Sequence, residues 1–119
     1  MNILFINSDT SIRSEFNEFA GEINANNFFS SSTEESIILL NEHQIDKVVL
    51  KIGKLADVSI MKYIDDYYKD IEVLVCARED FDEVLTIFNQ VHFKKIKNPV
   101  GLSDLMEHLV PKVEVKVQL

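Results

Sequence analysis

Short apolar runs alternate along the chain with longer segments in which apolar residues recur at helical spacing. The runs are too short for helices, and most are apolar throughout, as expected for strands that are buried on both faces of a sheet. They predict five strands, at 3–6, 28–29, 47–52, 73–77 and 91–96. The second of these, Phe28-Phe29, is the weakest.

Each predicted strand is followed by a segment that predicts an amphipathic helix. Its apolar residues fall three or four positions apart, which places them on one helical face. A residue able to cap a helix N-terminus precedes each segment, and Ser32 with Glu35 has the spacing of a capping box. The predicted capping residues are Asp9 or Thr10, Ser32, Asp57, Asp80 and Ser103.

Five strand–helix units without an internal repeat or linker suit a single domain of 119 residues. Strand–helix alternation predicts a parallel sheet covered by helices on both faces. In such sheets the functional crevice lies at the carboxyl ends of the strands, near the point where the strand order reverses. The positions at these ends are Asn7-Ser8-Asp9, Lys51, Ala77-Arg78 and Lys97-Asn98.

Two segments resemble the receiver domain of bacterial response regulators. Residues 45–52 are similar to the family's third strand, which ends in the phosphorylated aspartate, and residues 98–105 are similar to its lysine–proline–aromatic segment. The order and spacing of the elements match from Met1 to about Val110. The resemblance implies one flavodoxin-like, doubly wound (βα)5 domain over residues 1–110, with strand order 2-1-3-4-5, and residues 111–119 as an extended tail or linker.

The resemblance also implies that the metal and phosphoryl positions have lost their chemistry. The acidic pair that holds Mg²⁺ in receiver domains corresponds to Asn7 and Ser8, with Asp9 one place later, and the phosphoacceptor aspartate corresponds to Lys51. An acyl phosphate requires a carboxylate nucleophile, which a lysine lacks. Mg²⁺ prefers carboxylate oxygen ligands. Either Lys51 pairs with Asp9 in the crevice, or its ammonium extends to solvent.

The remaining family positions are changed as well. The hydroxyl residue that ends the fourth strand corresponds to Ala77, and the aromatic switch residue corresponds to Lys95, with Phe93 nearby. The lysine before the proline corresponds to Asn98, although a slip of one residue recovers Lys97. Loss of the nucleophile, the metal pair and the switch residues together indicates a degenerate receiver that does not use phosphorylation.

The composition of the chain argues against several classes of function. A net charge of -8 argues against nucleic-acid binding, and no apolar stretch approaches the length of a membrane span. The single cysteine, Cys76, lies in an apolar run, so we expect a buried thiol and a reducing compartment. Without a signal peptide the chain is expected in the cytoplasm. His43, His92 and His108 lack ligand spacing, so no metal is expected. None of the three glycines forms a phosphate-cradling loop, and no cofactor is expected.

Two groups of surface residues are candidates for partner contacts. Lys94, Lys95 and Lys97 are either a steered partner surface or the lysines that guard an edge strand. Tyr63 and Tyr67 fall on the exposed side of the predicted third helix, whereas its apolar face includes Tyr68, which we expect to pack against the sheet.

The C-terminal residues alternate apolar and polar side chains after Pro111, from Val113 to Leu119. This is a strand pattern, which either pairs with a sheet edge of the same chain or a second copy, or begins a linker.

The favoured function is a receiver-like adaptor, not an enzyme, that binds signalling proteins as yet unidentified and is able to form a homodimer. We expect it to bind neither nucleic acid nor membrane. Two alternatives stay open. One is a receiver domain with residual metal or phosphoryl binding that regulates an output domain. The other is a small α/β ligand-binding domain outside signalling.

Overall fold

A computed structural model of the protein describes residues 1–7, 25–77, 81, 83 and 93–97. The predicted first and fifth helices, the C-terminal tail and all of the predicted fourth helix except Phe81 and Glu83 lie outside the described residues. The described elements, in chain order, are β1 (Asn2–Ile6), β2 (Asn26–Ser30), α1 (Thr33–Glu42), β3 (Lys47–Lys51), a 3-10 turn (Leu55–Val58), α2 (Ser59–Tyr67), β4 (Glu72–Ala77) and β5 (Phe93–Lys97).

The five strands form one parallel sheet in the order β2-β1-β3-β4-β5. The predicted order is therefore confirmed. β1 lies in the interior, and the chain passes from it first to β2 on one side and then to β3 on the other. That reversal is the topological switch point, where α/β sheets of this kind open a crevice at their carboxyl edge.

One face of the sheet packs against α1 and α2. Leu50 and Val75 in the sheet and Ile64 in α2 are at most 2% exposed and belong to one apolar cluster. Phe28, Tyr68 and Phe93 are partly buried against the same cluster. Tyr68 therefore packs as predicted.

The opposite face of the sheet is buried as well. Ile3, Phe5, Val49 and Leu74 alternate with the residues of the first face and are at most 3% exposed. Phe5 stacks on Phe29 of the neighbouring strand, with ring centroids 6.3 Å apart. Burial on both faces explains why the centres of β1, β3 and β4 are continuously apolar, and it agrees with the predicted doubly wound architecture.

Helix α1 begins where the capping pattern predicts. The Glu35 N–H donates to the Ser32 hydroxyl at 3.1 Å, which satisfies one of the free donors of the first turn. The Glu35 carboxylate accepts from the Ser31 N–H at 2.9 Å, one residue before the usual partner in a capping box. Behind this turn, the buried hydroxyls of Ser30 and Ser36 are hydrogen-bonded to each other.

Asp57 does not cap α2, which corrects the prediction. Its Oδ2 accepts from the N–H groups of Gly53 and Lys54, at 2.8 and 3.0 Å. Asp57 lies within the 3-10 turn, and α2 begins at Ser59 with Val58 in the capping position. The carboxylate closes the turn that precedes the helix, a common role for aspartate in loops.

All five strands have bounds that differ from the predicted ones, and β1 and β4 each begin one residue earlier than predicted. β2 extends over Asn26–Ser30, because backbone pairing with β1 includes polar residues that the apolar pattern omits. β3 ends at Lys51, and the buried Ile52 follows it with its N–H donating to the Cys76 carbonyl at 2.8 Å. β5 includes Lys97, one residue beyond the predicted end.

Candidate functional site

The carboxyl ends of three neighbouring strands bring the predicted site residues together. In the pairing of β1 with β3, Ile6 is aligned with Leu50. The next residues, Asn7 and Lys51, therefore lie side by side. Lys51 in turn is aligned with Cys76 on β4. Asn7, Lys51 and Cys76 therefore form one row across the edge of the sheet, because aligned residues of parallel strands project to the same face.

Lys51 is the last residue of β3 and is half-buried. Its charge acts on Cys76, the next residue in the row. Burial raises the pKa of the Cys76 thiol to about 11, and the positive charge of Lys51 opposes that rise. Cys76 is 3% exposed, so at neutral pH it is a buried, protonated thiol without nucleophilic character, in agreement with the prediction.

Asn7 follows β1 directly and is 6% exposed. Its backbone N–H donates to the Ser30 carbonyl at 3.0 Å, which extends the pairing of β1 with β2 by one residue. The backbone of Asn7 therefore belongs to the edge of the sheet. Its side chain is a neutral amide, which has one carbonyl oxygen to offer and no negative charge.

Ala77 ends β4 and is 2% exposed. It belongs to the apolar cluster on the face that packs against the helices, and its methyl group has no hydrogen bond to offer a ligand. Lys97, the last residue of β5, is aligned with Ala77. Ser8, Asp9 and Asn98 lie outside the described residues, so the proposed contact of Lys51 with Asp9 stays a prediction.

The described residues of this edge do not fit Mg²⁺. Mg²⁺ takes oxygen ligands in octahedral geometry and is usually held by one or two carboxylates. Asn7 has an amide, Ala77 has a methyl group, and Lys51 has an ammonium whose charge repels a cation. Across the part of the chain that the structure describes, no group of three or more histidine, cysteine, aspartate or glutamate side chains is placed to hold a metal ion.

A polar cleft of about 390 Å³ lies beside this edge, where β2 leads into α1 and β3 leads into α2. The hydroxyls of Thr33 and Ser59 are 3.0 Å apart and join the first turns of the two helices. Lys54, Glu34 and Asp57 contribute charges of both signs. The sequence analysis missed this cleft, although the run of hydroxyl residues 30–33 is a visible signal for it.

Lys94 and Lys95 are both exposed on β5, which is an edge strand of the described sheet. They project to opposite faces, because side chains alternate along a strand. The Lys94 ammonium lies 3.6 Å from the Glu72 carboxylate, which also pairs with Lys47 at 3.2 Å. Together they put positive charge on both sides of this edge strand, and we call the pair the basic ridge.

The tyrosines of α2 are placed partly as predicted. Tyr67 is 69% exposed, in agreement with the prediction. Tyr63 is half-buried and packs against the apolar cluster, so its predicted exposure is wrong. The reason is its hydroxyl, which donates to the Asn41 side-chain oxygen of α1 at 3.1 Å and holds the ring between the helices.

Comparisons with family models and with curated proteins find no match for this chain. No family model matches the chain, and no curated protein matches it.

Among the described residues, no helix has both the length and the apolar composition needed to cross a membrane.

Solved structures do match. A CheY-like response regulator receiver domain protein from Methanospirillum hungatei JF-1 has a TM-score of 0.76 and 12% identity, over 97% of this chain and 91% of that chain. A receiver domain protein from Clostridium thermocellum has a TM-score of 0.74 and 20% identity, over 97% and 98%.

A third match comes from a complex. The receiver domain of the Saccharomyces cerevisiae response regulator Ssk1, crystallised with the histidine phosphotransfer signaling protein Ypd1, has a TM-score of 0.75 and 11% identity, over 92% of this chain and 86% of that chain. The chain therefore has the fold of receiver domains, as its sequence predicted. Identities of 11–20% establish the fold alone.

Proposed function

We propose that this chain is a receiver-like signalling adaptor that acts through protein–protein contacts and accepts no phosphoryl group. The observation that carries the proposal is the position of Lys51. It lies at the carboxyl end of β3, beside Asn7 and Cys76, where the family resemblance places the phosphoacceptor aspartate.

The chemistry of phosphoryl transfer argues for this reading. Forming an acyl phosphate requires a carboxylate that attacks phosphorus, together with positive charge or metal to stabilise the transferred group. Lys51 supplies positive charge and no carboxylate. Asn7 and Ala77 supply neither a metal-binding carboxylate nor a hydroxyl to the phosphoryl oxygens.

A fixed charge at this position also bears on switching. A phosphorylated aspartate alternates between charge states and thereby shifts a conformational equilibrium. Lys51 has no carboxylate to form an acyl phosphate, so phosphorylation at this position cannot switch the edge of the sheet. Any change in the activity of the protein then comes from the partners it binds, because a partner shifts an equilibrium only by binding one state more tightly.

Protein contact is a function with which this fold is compatible. The receiver domain of Ssk1 was crystallised in complex with another signalling protein, so the fold is compatible with such contacts. In this chain the basic ridge of Lys94 and Lys95 on β5 is a candidate contact surface, which an acidic partner would approach by electrostatic steering.

Phosphorylation from a small-molecule donor tests the proposal. The protein is incubated with Mg²⁺ and acetyl phosphate, and its intact mass is measured, beside a receiver domain that is known to accept the phosphoryl group. We expect the mass of this chain to stay unchanged while the control gains one phosphoryl group. Gain of an acid-stable or hydroxylamine-sensitive phosphoryl group would contradict the proposal.

A further inference from the structure

We draw no further inference here: the strongest candidate, the pocket of about 230 Å³ at the C-terminal ends of α1 and α2, where the exposed Tyr67 lies among His43, Lys69 and Asp70, carries nothing, because its charges are of both signs and nothing in the structure shows what covers it.

Discussion

The environment of Lys51 decides what the carboxyl edge of the sheet can do. The residue is half-buried at the end of β3, between Asn7 and Cys76. The topology predicted that Asn7 and Lys51 meet, because the ends of parallel strands lie along one edge, whereas Cys76 was expected only as a buried thiol. Whether Asp9 contacts Lys51 depends on the path of the chain after β1, which the pattern of apolar residues does not determine.

Because the Cys76 thiol is buried, we predict that the free energy of unfolding depends on pH. The folded-state pKa of Cys76 is about 11, against 9.0 for an ordinary thiol, chiefly because of burial. A raised folded-state pKa means that the unfolded chain ionises first. The protonated Cys76 thiol therefore contributes fully to the free energy of unfolding below pH 9.0. That contribution is lost as the pH rises towards about 11, and the free energy of unfolding falls by about 2–3 kcal/mol at most.

Urea unfolding at a series of pH values measures this loss, with Cys76→Ala as the reference that lacks the thiol. The difference in unfolding free energy between the two proteins should be constant up to about pH 9 and should then shrink. A difference that stays constant throughout the alkaline range would mean that the thiol ionises equally in both states.

Strands were predicted more accurately than the turns that connect them to helices. Apolar runs located β1, β3 and β4 because these strands are buried on both faces. β2 was predicted too short, since its asparagines pair through their backbone and leave no apolar signal. Asp57 was misassigned because a carboxylate can satisfy the N–H groups of a turn as well as those of a helix.

The clefts and contacts between elements could not be predicted. The Thr33–Ser59 hydroxyl pair and the Tyr63–Asn41 hydrogen bond each join residues more than twenty positions apart. They depend on how α1 and α2 pack against each other, a relation that spacing along one segment does not contain. The cap of α1, by contrast, is a local feature and was predicted from Ser32 and Glu35.

That cap gives a prediction for helix α1. Ser32→Ala removes the acceptor of the Glu35 N–H and should lower the free energy of unfolding by about 1 kcal/mol. Ser32→Asp keeps an acceptor at the same position, so urea unfolding should place it close to the wild type and above the alanine variant. An aspartate variant as unstable as the alanine variant would mean that the side-chain bond does not stabilise the helix.

At the scale of the whole molecule, the basic ridge lies on one edge strand of the described sheet, in a chain whose net charge is -8. Such asymmetry directs which surface an acidic partner approaches. Lysines on an edge strand also prevent pairing with other sheets, so exposure alone does not distinguish a contact surface from protection against aggregation.

Reversing the charges of Lys94 and Lys95 distinguishes a partner contact from protection against aggregation. If Lys94 and Lys95 contact a partner, the double variant Lys94→Glu, Lys95→Glu should lose a defined set of proteins captured by cross-linking in cells and identified by mass spectrometry. The fold should persist, since the Lys94–Glu72 pair is half-exposed and contributes little. The matched control is Lys54→Glu, an exposed lysine in a different loop. Identical captured proteins in all three samples would favour the protective role.

The central claim, that this receiver fold holds no phosphoryl site, is tested most directly by an NMR amide titration. The protein is titrated first with Mg²⁺ and then with Mg²⁺ plus beryllofluoride, which mimics a phosphoryl group on aspartate. With Lys51 at the end of β3, we predict no saturable shifts at Asn7, Lys51 or Ala77. Saturable shifts at these amides would contradict the account, because they would mean that the carboxyl edge still binds the metal or the phosphoryl mimic.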